Sequence, residues 1–291
     1  MLKRSRQVFD VPAFSQDIYE YGEGSPKIMF TAGIHGDEVT GIYVAEKLIE
    51  YFNDNKPIKG SIKIMPKCNP VATRQLTRRS FYDGIDMNRI FPGSTKGSTT
   101  LKAAQNIWQE SEDMDTIIDI HCCGQYGMTY ILAVYDEFPE VKELCMKLNI
   151  PRLVKSEGTA GQLFTESCRK RGQKAIIIEL PSGHSPGAIN FEAAEECYEA
   201  LLNLLRAEGI IKGEYINNPP IVYGNIKDMV AEDNGLWLPQ VNKGDRVKKG
   251  QVIGKLNGKE IVANEEGTIL MIVPGSYLYS DDYIIMYIQE I

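Results

Sequence analysis

The stretch from Gly33 to Glu38 (Gly-Ile-His-Gly-Asp-Glu) brings an imidazole, His35, and a carboxylate, Glu38, within about one backbone turn of each other. Both groups are common ligands of catalytic zinc, and a third ligand from elsewhere would leave the fourth position open for water. The same pair is compatible with a surface histidine and a glutamate at a helix start, where the macrodipole favours negative charge. From this stretch alone the two interpretations weigh about evenly.

Three predicted strands would position imidazole and carboxylate side chains near one another. The apolar run 27–32 predicts a strand before the motif, and the apolar spacing over 39–52 predicts a helix after it. The motif therefore lies at a strand-to-helix turn, where open α/β sheets place their chemistry. A second strand ends at His121 and a third ends at Glu179, whose carboxylate could serve as a general base.

The order of the predicted elements indicates an α/β fold. Strands alternate with helices up to about residue 207, which implies a mostly parallel, mixed sheet flanked by helices. From residue 215 onward the chain has short β-rich runs punctuated by turn residues, and 217–220 is a plausible linker. We therefore predict a catalytic α/β domain over 1–212 and a small all-β domain over 213–291.

Composition and net charge argue against several classes of function. The 291 residues are 43% hydrophobic and 24% charged, which is typical of a globular protein, and the net charge of −7 argues against binding to nucleic acid or an anionic membrane. No apolar run approaches transmembrane length, and the basic N-terminus lacks the apolar core of a secretory signal. Six irregularly spaced cysteines indicate reduced thiols, so we expect a cytoplasmic protein.

An arginine-rich segment lies between the predicted helix 39–52 and the strand that ends at His121. Arg74, Arg78, Arg79 and Arg89 fall within sixteen residues of an acidic chain, which suggests an anion site. Most such clusters are solvated basic loops, and it is the position of this one among the other motifs that favours the anion site.

Taken together, these motifs resemble the succinylglutamate desuccinylase/aspartoacylase family, which has the zinc carboxypeptidase-like fold. They occur in the family's order, and the β-rich tail resembles the family's C-terminal domain. The matching motifs are Gly33-Ile34-His35-Gly36-Asp37-Glu38, Asn69-Pro70, Asp86-Met87-Asn88-Arg89 with Phe91-Pro92-Gly93, Asp119-Ile120-His121 and Ile178-Glu179-Leu180. One departure is the continuation after Glu179, Leu-Pro-Ser-Gly-His, where a small, glycine-rich run is expected.

The resemblance implies one Zn²⁺ per chain and a role for each matched residue. The implied zinc ligands are His35, Glu38 and His121, and Glu179 matches the general base and proton shuttle. The residues implied to contact substrate are Asn88 and Arg89, which would hold a substrate carboxylate, and Arg78, which would polarise the scissile carbonyl, with the adjacent Arg79 as its alternative.

The implied reaction is hydrolysis of the amide of a small, anionic N-acyl amino acid, and the chain could form a homo-oligomer. A metallocarboxypeptidase acting on peptide C-termini would use the same metal, base and arginines. A third alternative is a non-catalytic binding protein that keeps the fold, which the complete ligand and base set argues against.

Several nearby residues keep two interpretations. His184 lines the substrate pocket or hydrogen-bonds locally, the second being favoured. Cys122 and Cys123 are soft zinc ligands or, in the favoured interpretation, buried thiols. Asp119 orients an imidazole or caps a neighbouring helix.

The tail segment 241–254 resembles biotinyl/lipoyl-type β-domains, which carry a modified lysine on a hairpin. The hairpin is short here and lacks the flanking pattern, so we interpret Lys259 as an ordinary surface lysine. Tyr277 or Tyr279 could reach over the catalytic cleft, although packing in a β core is the favoured role.

Overall fold

A large mixed sheet forms the centre of the molecule in the computed structural model, which describes residues 1–8 and 14–291. Its middle strands are apolar runs whose residues are buried on both faces, as expected where helices cover a sheet. The strands are β1 (Leu2–Gln7), β2 (Ser15–Glu23), β3 (Lys27–Ala32), β4 (Gly60–Met65), β5 (Thr116–Cys122), β6 (Tyr130–Ala133), β7 (Arg152–Lys155), β8 (Lys174–Leu180) and β9 (Ile221–Asn225), in the spatial order β1-β2-β4-β3-β5-β8-β6-β7-β9.

The middle strands β4, β3, β5 and β8 run parallel, so their carboxyl ends meet at one edge of the sheet. β2 pairs antiparallel with β4, and β1 pairs antiparallel with β2. On the other side β6 pairs antiparallel with β8, and β7 and β9 continue parallel to β6. The predicted α/β class with a mixed, mostly parallel sheet is confirmed.

Six α-helices among the described residues connect the strands: α1 (Val39–Asp54), α2 (Pro70–Gln75), α3 (Thr99–Glu110), α4 (Pro139–Cys145), α5 (Leu163–Arg171) and α6 (Phe191–Ala207). Local sequence signals set several ends. The Asn69 side chain accepts a hydrogen bond from the Ala72 amide and caps α2, and Asn190 caps α6 through the Ala193 amide. None of the helices in the described part of the chain is both long and apolar enough to cross a membrane.

The tail forms two four-stranded antiparallel sheets around their own apolar core. The first has the order β10-β17-β15-β12 and the second has the order β14-β13-β11-β16. Trp237 and Tyr287 are the largest fully buried side chains of this core. The strands are β10 (Lys227–Val230), β11 (Gly235–Pro239), β12 (Arg246–Val247), β13 (Val252–Leu256), β14 (Lys259–Val262), β15 (Gly267–Ile272), β16 (Ser276–Leu278) and β17 (Tyr283–Ile288).

The tail is tied to the large sheet at several places. β9 follows the predicted linker but pairs with β7 in the large sheet, so that sheet extends past residue 212. A separate apolar cluster joins the two parts and consists of Tyr130, Val154, Tyr223, Leu270 and Ile288. The division into two domains at residue 212 stays a prediction.

Candidate active site

His35 and Glu38 lie in the turn between β3 and α1, and both side chains are buried, at 2% and 5% exposure. This excludes the interpretation of a surface histidine. The turn packs tightly against α2, because a Cβ at Gly36 would lie 2.0 Å from the backbone carbon of Ala72. Only glycine permits this approach, which fixes the motif against the neighbouring helix.

His121 and Glu179 are neighbours across two parallel strands. They are directly paired in the register of β5 and β8, and both strands end one residue later. Because the carboxyl ends of β3, β5 and β8 share one edge, the residues from all three strand ends converge. His121 is buried and Glu179 is half-buried.

Three side chains converge in a way that fits a metal ion. His35 Nδ1 lies 2.7 Å from Glu38 Oε1, His121 Nδ1 lies 2.9 Å from Glu38 Oε2, and the two Nδ1 atoms are 3.3 Å apart. Glu38 Oε2 is nevertheless buried without a well-oriented hydrogen bond from any described residue. A cation among these atoms would satisfy the orphaned oxygen and both imidazole lone pairs, so the residues fit a metal with two imidazole ligands and one carboxylate.

Each imidazole is held from its far side by a second carboxylate. His35 Nε2 lies 3.0 Å from Asp86 Oδ1, and His121 Nε2 lies 2.8 Å from Asp119 Oδ2. The Thr31 hydroxyl in turn donates to Asp119 over 2.7 Å. Protons on the two Nε2 atoms satisfy these carboxylates and leave both Nδ1 lone pairs directed at the metal position. Asp119 therefore contacts an imidazole, as the first of its two interpretations expects.

The ionisation of these groups shows that the site favours positive charge at its centre. Burial lowers the pKa of His121, but the charges of Asp119 and Glu38 outweigh it and hold that pKa well above its ordinary value. Burial likewise raises the pKa of Glu38, but His121 and His35 outweigh it and lower that pKa to about 2.

Glu179 has the opposite behaviour. Burial and the charge of Glu38 raise the pKa of Glu179 to about 7, although His121 and His35 oppose the shift. Its Oε2 atom is buried and has no hydrogen-bond partner in the parts of the chain that the structure describes. A carboxylate that titrates near neutral pH and has an uncommitted oxygen is suited to exchange a proton with water or an amine.

The structure distinguishes between the two neighbouring arginines. Arg78 donates through Nε and Nη2 to Asp86 Oδ2, at 3.2 and 3.0 Å, and its Nη1 lies 3.7 Å from Glu38 Oε1. Both arginines are exposed, but Arg78 lines the cavity at the site, whereas Arg79 is not among the described residues that line it.

Asn88 and Arg89 form part of a short 3₁₀ turn over Met87–Arg89. The Asn88 side-chain oxygen accepts a hydrogen bond from the Leu163 amide at the start of α5, over 3.0 Å. Arg89 is exposed, and its Nη1 donates to the Asn88 carbonyl over 2.7 Å. The turn is therefore anchored to α5 while both side chains reach the site.

All seven predicted site residues line one cavity of about 390 Å³. No sequence motif predicts the remaining wall of this cavity, because several of its lining residues come from elements distant in the chain. Leu270, Met271 and Met286 reach the cavity from β15 and β17, and Tyr130 and Leu132 reach it from β6. Asp86 belongs to the motif Asp86-Met87-Asn88-Arg89, but no feature of the sequence predicts its contact with His35.

The exposure of the remaining candidate residues, and whether they line the cavity, decides between their alternative interpretations. Cys122 and Cys123 line the cavity as free thiols, and burial raises the pKa of both far above neutral. His184 is exposed and does not line the cavity within the described chain. Tyr277 and Tyr279 are 60% and 63% exposed and contact each other edge to face, so the expectation of core packing was wrong.

Comparison with known proteins bears on both the fold and the family. Residues 24–207 match the succinylglutamate desuccinylase/aspartoacylase catalytic domain. A curated relative, N-alpha-acetyl-L-2,4-diaminobutyric acid deacetylase from Halomonas elongata, is 28% identical over 252 residues, which cover 82% of this chain and 72% of that protein.

Solved structures share the fold over nearly the whole chain. The product-bound ectoine utilization protein EutE (DoeB) from Ruegeria pomeroyi has a TM-score of 0.82 and 22% identity, covering 99% of this chain and 93% of that chain. An aspartoacylase family protein from Mesorhizobium loti has a TM-score of 0.81 and 21% identity, covering 95% and 90%. Because the catalytic-domain match spans more than half of the sequence, the chain belongs to the succinylglutamate desuccinylase/aspartoacylase family, whose members are deacylases and thus hydrolases.

Proposed function

We propose that this protein is a zinc-dependent amidohydrolase that removes the acyl group from a small, anionic N-acyl amino acid. The observation that carries the proposal is the convergence of His35 Nδ1, His121 Nδ1 and Glu38 beside the uncommitted carboxylate of Glu179. The curated deacetylase relative supports the same class of reaction. A cytoplasmic location and a homo-oligomeric state stay predictions.

The proposed metal ligands are His35, Glu38 and His121, since two imidazoles and one carboxylate with an open position are typical of catalytic zinc. When bound, Zn²⁺ supplies a Lewis acid that polarises a carbonyl group and lowers the pKa of water at the site. Asp86 and Asp119 fix the ring orientation of the two histidines through their Nε2 atoms.

The other residues divide the chemistry of amide hydrolysis between them. Glu179 accepts a proton from the attacking water and returns it to the leaving amine, for which a pKa near 7 is well matched. Arg78 stabilises the negative charge that develops on the carbonyl oxygen. Arg89, together with Asn88, binds the substrate carboxylate, for which a planar guanidinium fork is suited.

The test combines metal analysis with a substrate panel. We expect about one zinc per chain in the purified protein, loss of zinc in His121→Ala, and hydrolysis of at least one of the N-acetyl, N-formyl or N-succinyl amino acids. Activity should disappear with a chelator and return with Zn²⁺. Wild-type zinc content in His121→Ala would refute the ligand set, and cleavage of C-terminal peptides alone would refute the substrate class.

A further inference from the structure

Tyr130 is the first residue of β6 and lines the cavity, although it belongs to none of the sequence motifs described above. Strand register places it directly opposite Glu179, because β6 and β8 pair antiparallel at these two residues. Glu179 is paired in turn with His121 on β5. A metal ligand, a general base and a phenol therefore lie in one row across three neighbouring strands, and all three line the same cavity.

The Tyr130 hydroxyl is a hydrogen-bond donor without a partner. The side chain is only 6% exposed, and its hydroxyl, which makes no hydrogen bond within residues 1–8 and 14–291, is not among the fully buried unpaired atoms and so is open to the cavity that the residue lines. The hydroxyl of a largely buried tyrosine usually has a hydrogen-bond partner, and here the cavity is where such a partner can bind. Glu179 Oε2, on the opposite residue, is also unpaired. Two unsatisfied polar groups in one cavity indicate that a molecule entering the cavity satisfies them.

The chemistry of this hydroxyl suits donation and not proton abstraction. Burial, followed by the charges of Glu179, Cys123 and Glu38, raises the pKa of Tyr130 well above its ordinary value. The group therefore stays protonated at neutral pH. The ring belongs to one apolar cluster with Val154, Tyr223 and Leu270, which fixes its position.

We propose that Tyr130 is a catalytic residue whose hydroxyl donates a hydrogen bond to the scissile amide group, on the side of Glu179 opposite to His121. The inference rests on the proposed amidohydrolase function. Arg78 reaches the amide from the metal side, where it contacts Asp86 and approaches Glu38. The amide is thus held between a charged donor at the metal and a neutral donor beyond the base.

The test is Tyr130→Phe, which removes one oxygen and keeps the ring in its apolar contacts. Tyr223→Phe is the matched control, because Tyr223 is 7% exposed and belongs to the same apolar cluster but does not line the cavity. We expect kcat of Tyr130→Phe to fall at least ~10-fold, since a hydrogen bond strengthened during reaction is worth about one power of ten or more. KM, zinc content and the midpoint of the acidic limb of the pH–kcat profile should stay at wild-type values, and Tyr223→Phe should match the wild type throughout.

Each other result overturns the proposal. An unchanged kcat would show that the hydroxyl takes no part in the reaction. A raised KM with normal kcat would place its contact on a remote part of the substrate. A shifted acidic limb would show that Tyr130 acts through Glu179, and lost zinc would show that it acts through the metal site. A wild-type protein that cleaves no N-acyl amino acid refutes the proposed function as well, whereas an active wild type with an equally active Tyr130→Phe refutes this inference alone.

Discussion

At the scale of single residues, the two glutamate carboxyl groups of the site have different tasks. Glu38 has its pKa lowered to about 2 by the two histidines, whereas burial raises the pKa of Glu179 to about 7. The environments of these two carboxyls push their pKa values apart, which is how a fold keeps one acid as a charged ligand and the other as a proton carrier.

Glu179→Gln tests the role of the second carboxyl. The amide keeps the shape of the side chain but cannot accept a proton, so we expect kcat to fall at least ~10²-fold while zinc binding is retained. The measurement is steady-state kinetics beside metal analysis. Near-wild-type turnover would assign proton transfer to another group. In the wild type, activity should rise with pH as Glu179 ionises, since its carboxylate must be charged to accept the water proton and burial raises its pKa.

Replacement of the arginines separates their tasks, with Arg79→Ala as the matched control on an exposed neighbour. If Arg78 meets charge that develops only during reaction, Arg78→Ala lowers kcat and kcat/KM together, by ~10²–10³. Arg89→Ala should chiefly raise KM for substrates with a free carboxylate. For substrates whose carboxylate is amidated, the same substitution should cause little further loss of activity. Equal loss on free-acid and amidated substrates would refute the carboxylate role of Arg89.

The sequence predicted the residues of the site better than their surroundings. His35 and Glu38 follow the end of β3, and His121 and Glu179 lie at the ends of β5 and β8, so parallel strand order alone predicts that they meet. The partner of the second ring nitrogen of His35 is Asp86, which lies in a loop. No sequence periodicity determines the path of that loop, so this contact could not be predicted. Tyr130 has a cross-strand neighbour that only the antiparallel register of β6 reveals.

At the scale of elements, the sheet edge near β1 is held by a buried carboxylate at the end of α3. Glu110 is 4% exposed and accepts hydrogen bonds from Arg4 and Arg6 of β1 and from Lys63 of β4. Burial raises the pKa of Glu110, but these cations outweigh it and lower that pKa to about 2. This network joins β1, β4 and α3. β1 and β2 were not predicted, because their residues alternate in burial without a continuous apolar run.

The network makes a prediction about acid stability. A carboxyl whose pKa is lower in the folded than in the unfolded protein stabilises the fold at pH values above its unfolded pKa, which is near 4.5 for Glu110. This contribution to stability is lost as the pH falls toward 2. We expect Glu110→Gln to reduce the free energy of unfolding by about 1–3 kcal/mol at pH 7 and to flatten its dependence on pH between 5 and 3. Urea denaturation across this range measures both. A variant with the wild-type pH slope would show that Glu110 contributes no such linkage.

At the scale of the whole molecule, the tail contributes to the wall and to the support of the cavity. The Met128 amide donates to the Leu270 carbonyl, and Lys243 Nζ donates to the Gly127 carbonyl over 2.9 Å. These contacts hold the loop that leads into Tyr130. The sequence predicted the small β-rich tail but not this contact, because the pairing of residues over 100 positions apart leaves no local pattern.

Leu270→Ala tests whether the tail supports the chemistry. Leu270 is 1% exposed and belongs to the same apolar cluster as Tyr130, so its truncation should cost about 2–5 kcal/mol of stability and lower kcat by loosening the support of the phenol. Leu256→Ala is the control, since Leu256 is buried in the tail's own core and does not line the cavity. The kcat losses of Leu270→Ala and Tyr130→Phe should be less than additive in the double variant. Additive losses, or equal kcat in both leucine variants, would contradict this role.

The row of His121, Glu179 and Tyr130 also sets a length scale. Adjacent strands are about 4.8 Å apart, so the first and last members of the row are separated by about 10 Å of sheet. The backbone hydrogen bonds of the sheet fix this interval, and side-chain motion changes it little. The spacing of β5, β8 and β6 thus sets the length of substrate that can contact all three residues at once. Any longer portion of such a substrate must extend away from the sheet edge, toward the arginines or the tail.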